Sequence, residues 1–193
     1  MSQANTAGQM PESNDAVVLL KQQHDEIRSL FDEVLATTGD DRKRAFHRLV
    51  HLLVVHETAE EEVVHPYVRR AVEGGELVVA DRLKEEQEAT RVLSRLEGAD
   101  TNTPEFLKEF AALREDVLEH ARAEEEYEFS YLHQEADPAR LQAMAKALRA
   151  AETVAPTRPH PAIDSPAKNL ALGPAAAAID RTRDAIRAVL GGA

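Results

Sequence analysis

The sequence predicts an all-α fold: an up-down-up-down four-helix bundle followed by a proline-rich extension and a terminal helix. Three observations point that way. Apolar residues recur at three- and four-residue intervals through about the first 150 of 193 positions, no stretch shows the alternation of a strand, and Gly and Pro gather where helices should start or stop. Long helices joined by short connectors build such a bundle.

Residues 1–13 are polar and are expected to be a flexible N-terminus, and residues 14–136 are expected to form the bundle. The first helix should cover residues 15–38, with Ser13 or Asn14 as its cap and Gly39 as its stop, burying Val17, Leu20, Ile27, Leu30, Phe31 and Val34. The second should follow over residues 41–73 and end at Gly74 and Gly75. Pro66 lies inside it and predicts a kink or break, because proline lacks the N–H and its ring clashes with the preceding turn. The third helix takes residues 77–97, before Gly98. The fourth begins after Thr103 with Pro104 at its first position, where the missing N–H is no loss, and runs to about Glu135.

Beyond the bundle, Asp137 and Pro138 open a short helix within residues 137–152, and residues 153–173 form a Pro-rich, aperiodic, extended segment. Residues 174–193 read as a C-terminal helix with Ile179, Ile186 and Leu190 as a possible apolar stripe. That stripe could cover the bundle or meet a second subunit, so monomer and homodimer both stay open.

The formal net charge is -12, from 35 acidic and 23 basic residues. A field of that sign opposes nucleic acid and anionic membranes, so neither is expected as a partner. There is no cysteine, which excludes disulfides, thiol catalysis and iron–sulfur ligation. The opening segment lacks a basic stretch followed by an apolar one, and no run approaches the roughly 20 apolar residues of a membrane span. A soluble, cytoplasmic protein is the expectation.

Two segments carry chemistry: HETAEEE from His56 and HARAEEE from His120. The first resembles the HExxH of zinc proteases, but Glu60 stands where the second His is required. A ferritin-like site needs two Glu-x-x-His pairs, and only Glu62 with His65 has that spacing, with Glu62 off the core face. The two segments share HxxxE instead. Residues four apart lie on one helix face, so His56 with Glu60, and His120 with Glu124, each make a two-ligand patch. Leu49, Leu52, Leu53, Val63 and Val64 bracket the first, and Phe110, Leu113, Val117 and Tyr127 the second, so both patches face the core. Glu61, Glu62, Glu125 and Glu126 rotate away and read as solvated charge, as do His47, His51, His65, His133 and His160.

A buried, ionised carboxylate without a partner is very costly, and one partner able to serve two HxxxE pairs is a metal. The pairs recur about 64 residues apart, and the same comparison of helix pairs gives Glu86 of the third helix the position that matches His24 of the first, with Gln87 nearer the edge. The inward set is then His24, His56, Glu60, Glu86, His120 and Glu124, from all four helices. Imidazoles together with carboxylates that can bridge suit two iron ions better than tetrahedral zinc or all-oxygen calcium. Tyr127, one turn beyond Glu124, and Tyr67, two turns beyond Glu60, could supply a phenolate or a hydrogen bond to a bound oxidant.

With these residues in view, the chain resembles the hemerythrin-like HHE cation-binding proteins, whose pattern is H, HxxxE, H, HxxxE on four helices. His24, His56 with Glu60, and His120 with Glu124 carry the match, over residues 15–136. The C-terminal extension looks like that of actinobacterial members. On the third helix Glu86 stands where the pattern has His, and Thr90 where oxygen carriers have a second His. The resemblance implies two non-haem iron ions, oxo- or hydroxo-bridged, with His24, His56 and His120 as terminal ligands and Glu60 and Glu124 bridging or chelating. It also implies reaction with a small oxidant, H2O2, O2 or NO. Fewer imidazoles favour the ferric state and shift the expectation from oxygen carriage to catalase-like peroxide decomposition or redox sensing. Iron binding or signalling without turnover, and ferritin-like iron handling, are the alternatives.

Overall fold

The structure, a computed structural model, describes residues 14–152. The expectations for residues 1–13, 153–173 and 174–193, with Ile179, Ile186 and Leu190, lie outside those residues, as does His160. Seven α-helices follow one another among the described residues: α1 (Ala16–Ala36), α2 (Gly39–Val63), α3 (His65–Ala71), α4 (Gly75–Glu97), α5 (Pro104–Ala123), α6 (Phe129–Glu135) and α7 (Pro138–Glu152). A π-helical turn, Glu124–Glu128, joins α5 to α6. None of these helices is long and apolar enough to cross a membrane.

The helix ends follow local chemistry. Asp15, one residue later than expected, caps α1 through its carboxylate, which accepts from the N–H groups of Val17 (2.9 Å) and Val18 (3.2 Å). Thr103 caps α5 by accepting from Phe106 N–H at 3.2 Å. Gly39 and Gly74 take φ of 60° and 72°, conformations open to glycine at little cost, at the turns into α2 and α4. The carbonyl of Val34, exposed by the end of α1, accepts from Nε of the buried Arg42 at 3.1 Å, while Nη1 of that arginine reaches Thr101 O at 3.0 Å. The end of α1, the start of α2 and the turn before α5 are thereby tied together.

The helical rod expected over residues 41–73 is interrupted at Val64, between α2 and α3, two residues before Pro66. The rod expected to begin at Pro104 instead contains the π turn, in which Phe129 N–H donates to Glu124 O, five residues back. The register of α6 is therefore displaced from that of α5.

The buried apolar residues fall into two clusters. One holds Leu20 of α1, Ala59 and Val63 of α2, Val79 of α4 and Phe129 and Leu132 of α6, and is covered by Leu141, Met144 and Leu148 of α7. The other holds Phe31 of α1, Phe46 and Leu49 of α2, Leu93 of α4 and Phe106 and Phe110 of α5. Along α1 and α4 the first cluster comes before the second, and along α2 and the α5–α6 column the order reverses. Neighbouring columns therefore run antiparallel, the up-down-up-down arrangement. Between the clusters, at the middle of each column, most of the buried residues are polar, with Val55 and Ala121 as apolar neighbours.

One close approach yields a test. A Cβ at Gly75 would lie 2.2 Å from Val68 O, where α4 starts against α3, whereas one at Gly98 would meet nothing nearer than Arg95 O at 3.8 Å. Gly75→Ala should cost about 1–3 kcal/mol by forcing backbone apart, and Gly98→Ala should stay within about 0.5 kcal/mol. Urea denaturation of the two variants measures the difference; equal stabilities would refute the close packing of α3 on α4.

Candidate metal centre

Each column delivers its polar residues where it passes from one apolar cluster to the other. His24 comes from α1, His56, Glu57 and Glu60 from α2, Glu86 from α4, His120 from α5, and Glu124 and Glu128 from the π turn. His65 comes from the first position of α3. All are buried except Glu57, which is partly exposed.

Three imidazoles are aimed by oxygen atoms behind them. Nδ1 of His24 donates to Glu125 Oε1, Nδ1 of His56 to Gln23 Oε1 and Nδ1 of His120 to Glu85 Oε2, each at 2.9 Å. With Nδ1 so held, each ring turns Nε2 inward, the tautomer and orientation that second partners impose on metal-binding histidines. Two outer carboxylates are themselves fixed by arginine. Glu125 accepts from Arg28 Nη2 at 2.7 Å, and Glu85 is paired with Arg82, whose Nε also donates to Glu128 Oε1 at 3.2 Å.

Inside this frame the donor atoms converge. His24 Nε2 and His56 Nε2 are 3.0 Å apart, and two nitrogen lone pairs at that distance repel unless a proton or a cation lies between them. Glu124 Oε2 is 3.4 Å from His24 Nε2 and its Oε1 is 3.3 Å from His120 Nε2, so one carboxylate spans both sides. His56 Nε2 lies 3.6 Å from Glu60 Oε2, and His120 Nε2 lies 3.7 Å from Glu57 Oε2. Three sets of donor atoms each fall within 4.8 Å of one another: His24, His56, Glu60 and Glu124; Glu57, Glu86 and His120; and His65, Glu124 and Glu128.

These atoms do not satisfy one another. Among the described residues, every buried side-chain nitrogen or oxygen without a hydrogen-bond partner, Arg114 Nε apart, belongs to Glu57, Glu60, His65, Glu86, His120, Glu124 or Glu128. At about 1–3 kcal/mol for each buried unsatisfied group, leaving the whole set unpaired would cost as much as the roughly 5–15 kcal/mol that holds a domain together. Cations shared among these donors remove that cost. Imidazole nitrogen and carboxylate oxygen, with no thiolate, fit a divalent or trivalent transition metal.

In the metal-free protein protons take the place of cations. Burial, then the charges of Glu124, Glu57 and Glu86, holds the Glu60 carboxyl well above the usual range, and burial with Glu57 and Glu61 does the same for Glu86. Burial lifts Glu57 to about 7, and burial with Glu124 lifts Glu128 to about 7. Burial alone would lower His120, but Glu124, Glu57 and Glu85 outweigh it and raise the imidazole to about 11. The same pairing holds Glu124 well below the usual range against the effect of its burial. Burial, reinforced by His24, depresses His56 to about 3.

The six side chains expected from the sequence, His24, His56, Glu60, Glu86, His120 and Glu124, all come together here, and Gln87 is exposed at the edge. Other expectations need correction. Tyr127 is 64% exposed: the wide π turn delays the helical phase and rotates it off the face of His120 and Glu124. Tyr67 is packed against the α7-covered apolar cluster, with the Arg140 guanidinium 5.7 Å from its ring centre. Glu125 is not free solvated charge but the partner of His24 and Arg28. His65 is buried: at ideal helical spacing it would lie nine residues and about half a turn from His56, and the helix is interrupted at Val64 between them. Glu57 and Glu128 join the donors beyond the expected six, and Glu128 continues the four-residue stripe of His120 and Glu124. His47, His51 and His133 are exposed, as expected.

Residues 15–132 match the family described as the hemerythrin HHE cation binding domain. The protein belongs to this family. The HHE domain accounts for the helical bundle and for a cation as the group its inward donors hold. A stretch of 137 residues, 70% of the chain, is 27% identical to a protein of Nostoc sp. named DNA nickase. The chain spans 38% of that protein's length. No solved structure matches the chain.

The HHE centre makes two predictions. Groups whose folded pKa is raised stabilise the fold below their unfolded value and lose that contribution as pH climbs through the folded value. Glu57 and Glu128 (4.5 to about 7), Glu60, Glu86 and His120 (6.5 to about 11) are of this kind. The depressed His56 acts oppositely, but only below 6.5. Metal-free protein should therefore lose melting temperature between pH 6.5 and about 8.5, while the stabilisation by an added divalent cation grows, because metal binding displaces these protons. Thermal melts with and without chelator decide it; a metal-free Tm that rises over this window contradicts the protonated core. Second, Glu85→Gln and Glu125→Gln should each weaken cation affinity roughly 10- to 100-fold without unfolding the bundle, read by competition with a chelating dye.

Proposed function

We propose that the HHE domain holds two iron ions and that the pair reacts with a small oxidant, H2O2, O2 or NO. The observation that carries this reading is the position of Glu124, whose two oxygens face His24 and His120 on opposite sides. One ion would be held by His24, His56, Glu60 and Glu124, and the other by Glu57, Glu86 and His120 together with Glu124. Bound iron supplies one-electron chemistry toward the oxidant. The chain's own groups hold and orient: Glu85 and Glu125 fix two imidazoles, and the apolar clusters on either side exclude water.

The donor set supports oxidant reduction or sensing over reversible oxygen carriage. Glu57 and Glu86 supply negative charge where additional imidazoles would be neutral, and anionic oxygen ligands stabilise the ferric state. Glu85, 47% exposed, and His120, 8% exposed, against Glu125 at 26% and His24 at 1%, make the His120 side the more open to a small solute. Tyr127, at the surface, has no part in this reading. DNA nicking is not carried over from the Nostoc relative: the match covers a minor part of that protein, and a net charge of -12 opposes a polyanion.

Protein produced in iron-replete medium should contain about two irons per chain and show ligand-to-metal charge-transfer bands. Glu124→Gln should deplete both ions, and Glu86→Gln the second alone. A colourless, metal-free protein of undiminished stability would sink the proposal. Peroxide consumption abolished in His120→Ala would identify an enzyme, and full iron content without consumption a sensor or binding module.

A further inference from the structure

Two irregularities in the helices meet at one place. His65 lies directly after the interruption at Val64 and Glu128 closes the π turn, and both side chains are buried. Departures of this kind gather at functional sites. Both deliver a donor to the face of Glu124, yet neither residue belongs to the HxxxE pairs or to the pair of positions described above.

We propose that His65, Glu124 and Glu128 form a third cation position, adjoining the pair and binding a divalent ion more weakly than the pair does. The proposal rests on the two-metal reading, since Glu124 is shared. His65 is 1% exposed and neither ring nitrogen has a hydrogen-bond partner, its nearest approach to a carboxylate being 3.5 Å from Nε2 to Glu86 Oε1. Glu128 is 2% exposed, and while its Oε1 accepts from Arg82, its Oε2 has no partner. One donor atom from each of the three residues lies within 4.8 Å of the others.

An imidazole with two carboxylate oxygens suits a first-row divalent cation that keeps some water ligands. Binding there is weaker for two reasons. Glu124 is already drawn to the pair, and the Arg82 guanidinium beside Glu128 opposes a second positive charge. The position therefore fills last and empties first.

Zinc ion tests this in the full chain because it needs no redox chemistry. Chelator-stripped wild type titrated by calorimetry should take up about three equivalents, the last more weakly, while His65→Phe and, separately, the isosteric Glu128→Gln should stop at about two with the tight phase unchanged. Wild type saturating at about two overturns the third position and leaves the pair intact. Loss of a tight equivalent in either variant also overturns it, by assigning that residue to the pair. Wild type binding no zinc tightly would overturn the pair and the third position together. Circular dichroism melts confirm that both variants fold before stoichiometries are compared.

Discussion

A layer of imidazoles and carboxylates buried across the middle of a helical bundle can persist only if its charge is balanced from within. The two apolar clusters above and below it are separate, so the layer is a full break in the hydrophobic core. Carboxylates at this depth must be protonated, paired with imidazolium or shared around a cation. His120 and Glu124 pair, the carboxyls of Glu60 and Glu86 are pushed toward the protonated form by burial and neighbouring carboxylates, and the unsatisfied atoms of the same residues are what a cation would complete.

The rest of the molecule holds this layer in shape. Aromatic packing of Phe31, Phe46, Phe106 and Phe110 stiffens one side, with ring centres of Phe31 and Phe46 at 5.2 and 5.9 Å from that of Phe110. On the other side α7 closes the bundle with Leu141, Met144 and Leu148 against α1 and α2. Between them, the oxygens behind His24, His56 and His120 fix ring orientation before any ligand arrives. Preorganisation of this sort lets helix-borne donors meet within a fraction of an ångström.

The fold and the central donors were legible in the sequence because both obey ideal helical spacing. His56 with Glu60 and His120 with Glu124 needed only the rule that residues four apart share a face, and Glu86 followed by matching its surroundings to those of His24. That same rule misplaced His65 and Tyr127. Each lies next to a helix irregularity: Pro66 signals the break beside His65 but not which side chains it turns inward, and the π turn beside Tyr127 has no spacing signature that ideal helix geometry can reveal. Glu125 failed for a different reason. Its role depends on α1, through His24 and Arg28, and a contact between residues 101 positions apart is not a property of the helix that carries either one.

The division of the core into two clusters also governs how the molecule comes apart. Halves joined by helices but separated by a polar seam behave as distinct cooperative units, coupled as strongly as the seam allows. Filled with cations, the seam becomes a set of crosslinks running between all four columns; filled with protons, it is a row of mutually repelling or neutralised groups. Metal loading would then be felt along the helices as mechanical coupling, so that hydrogen exchange at α7, which packs on α1 and α2, would report whether the centre is filled.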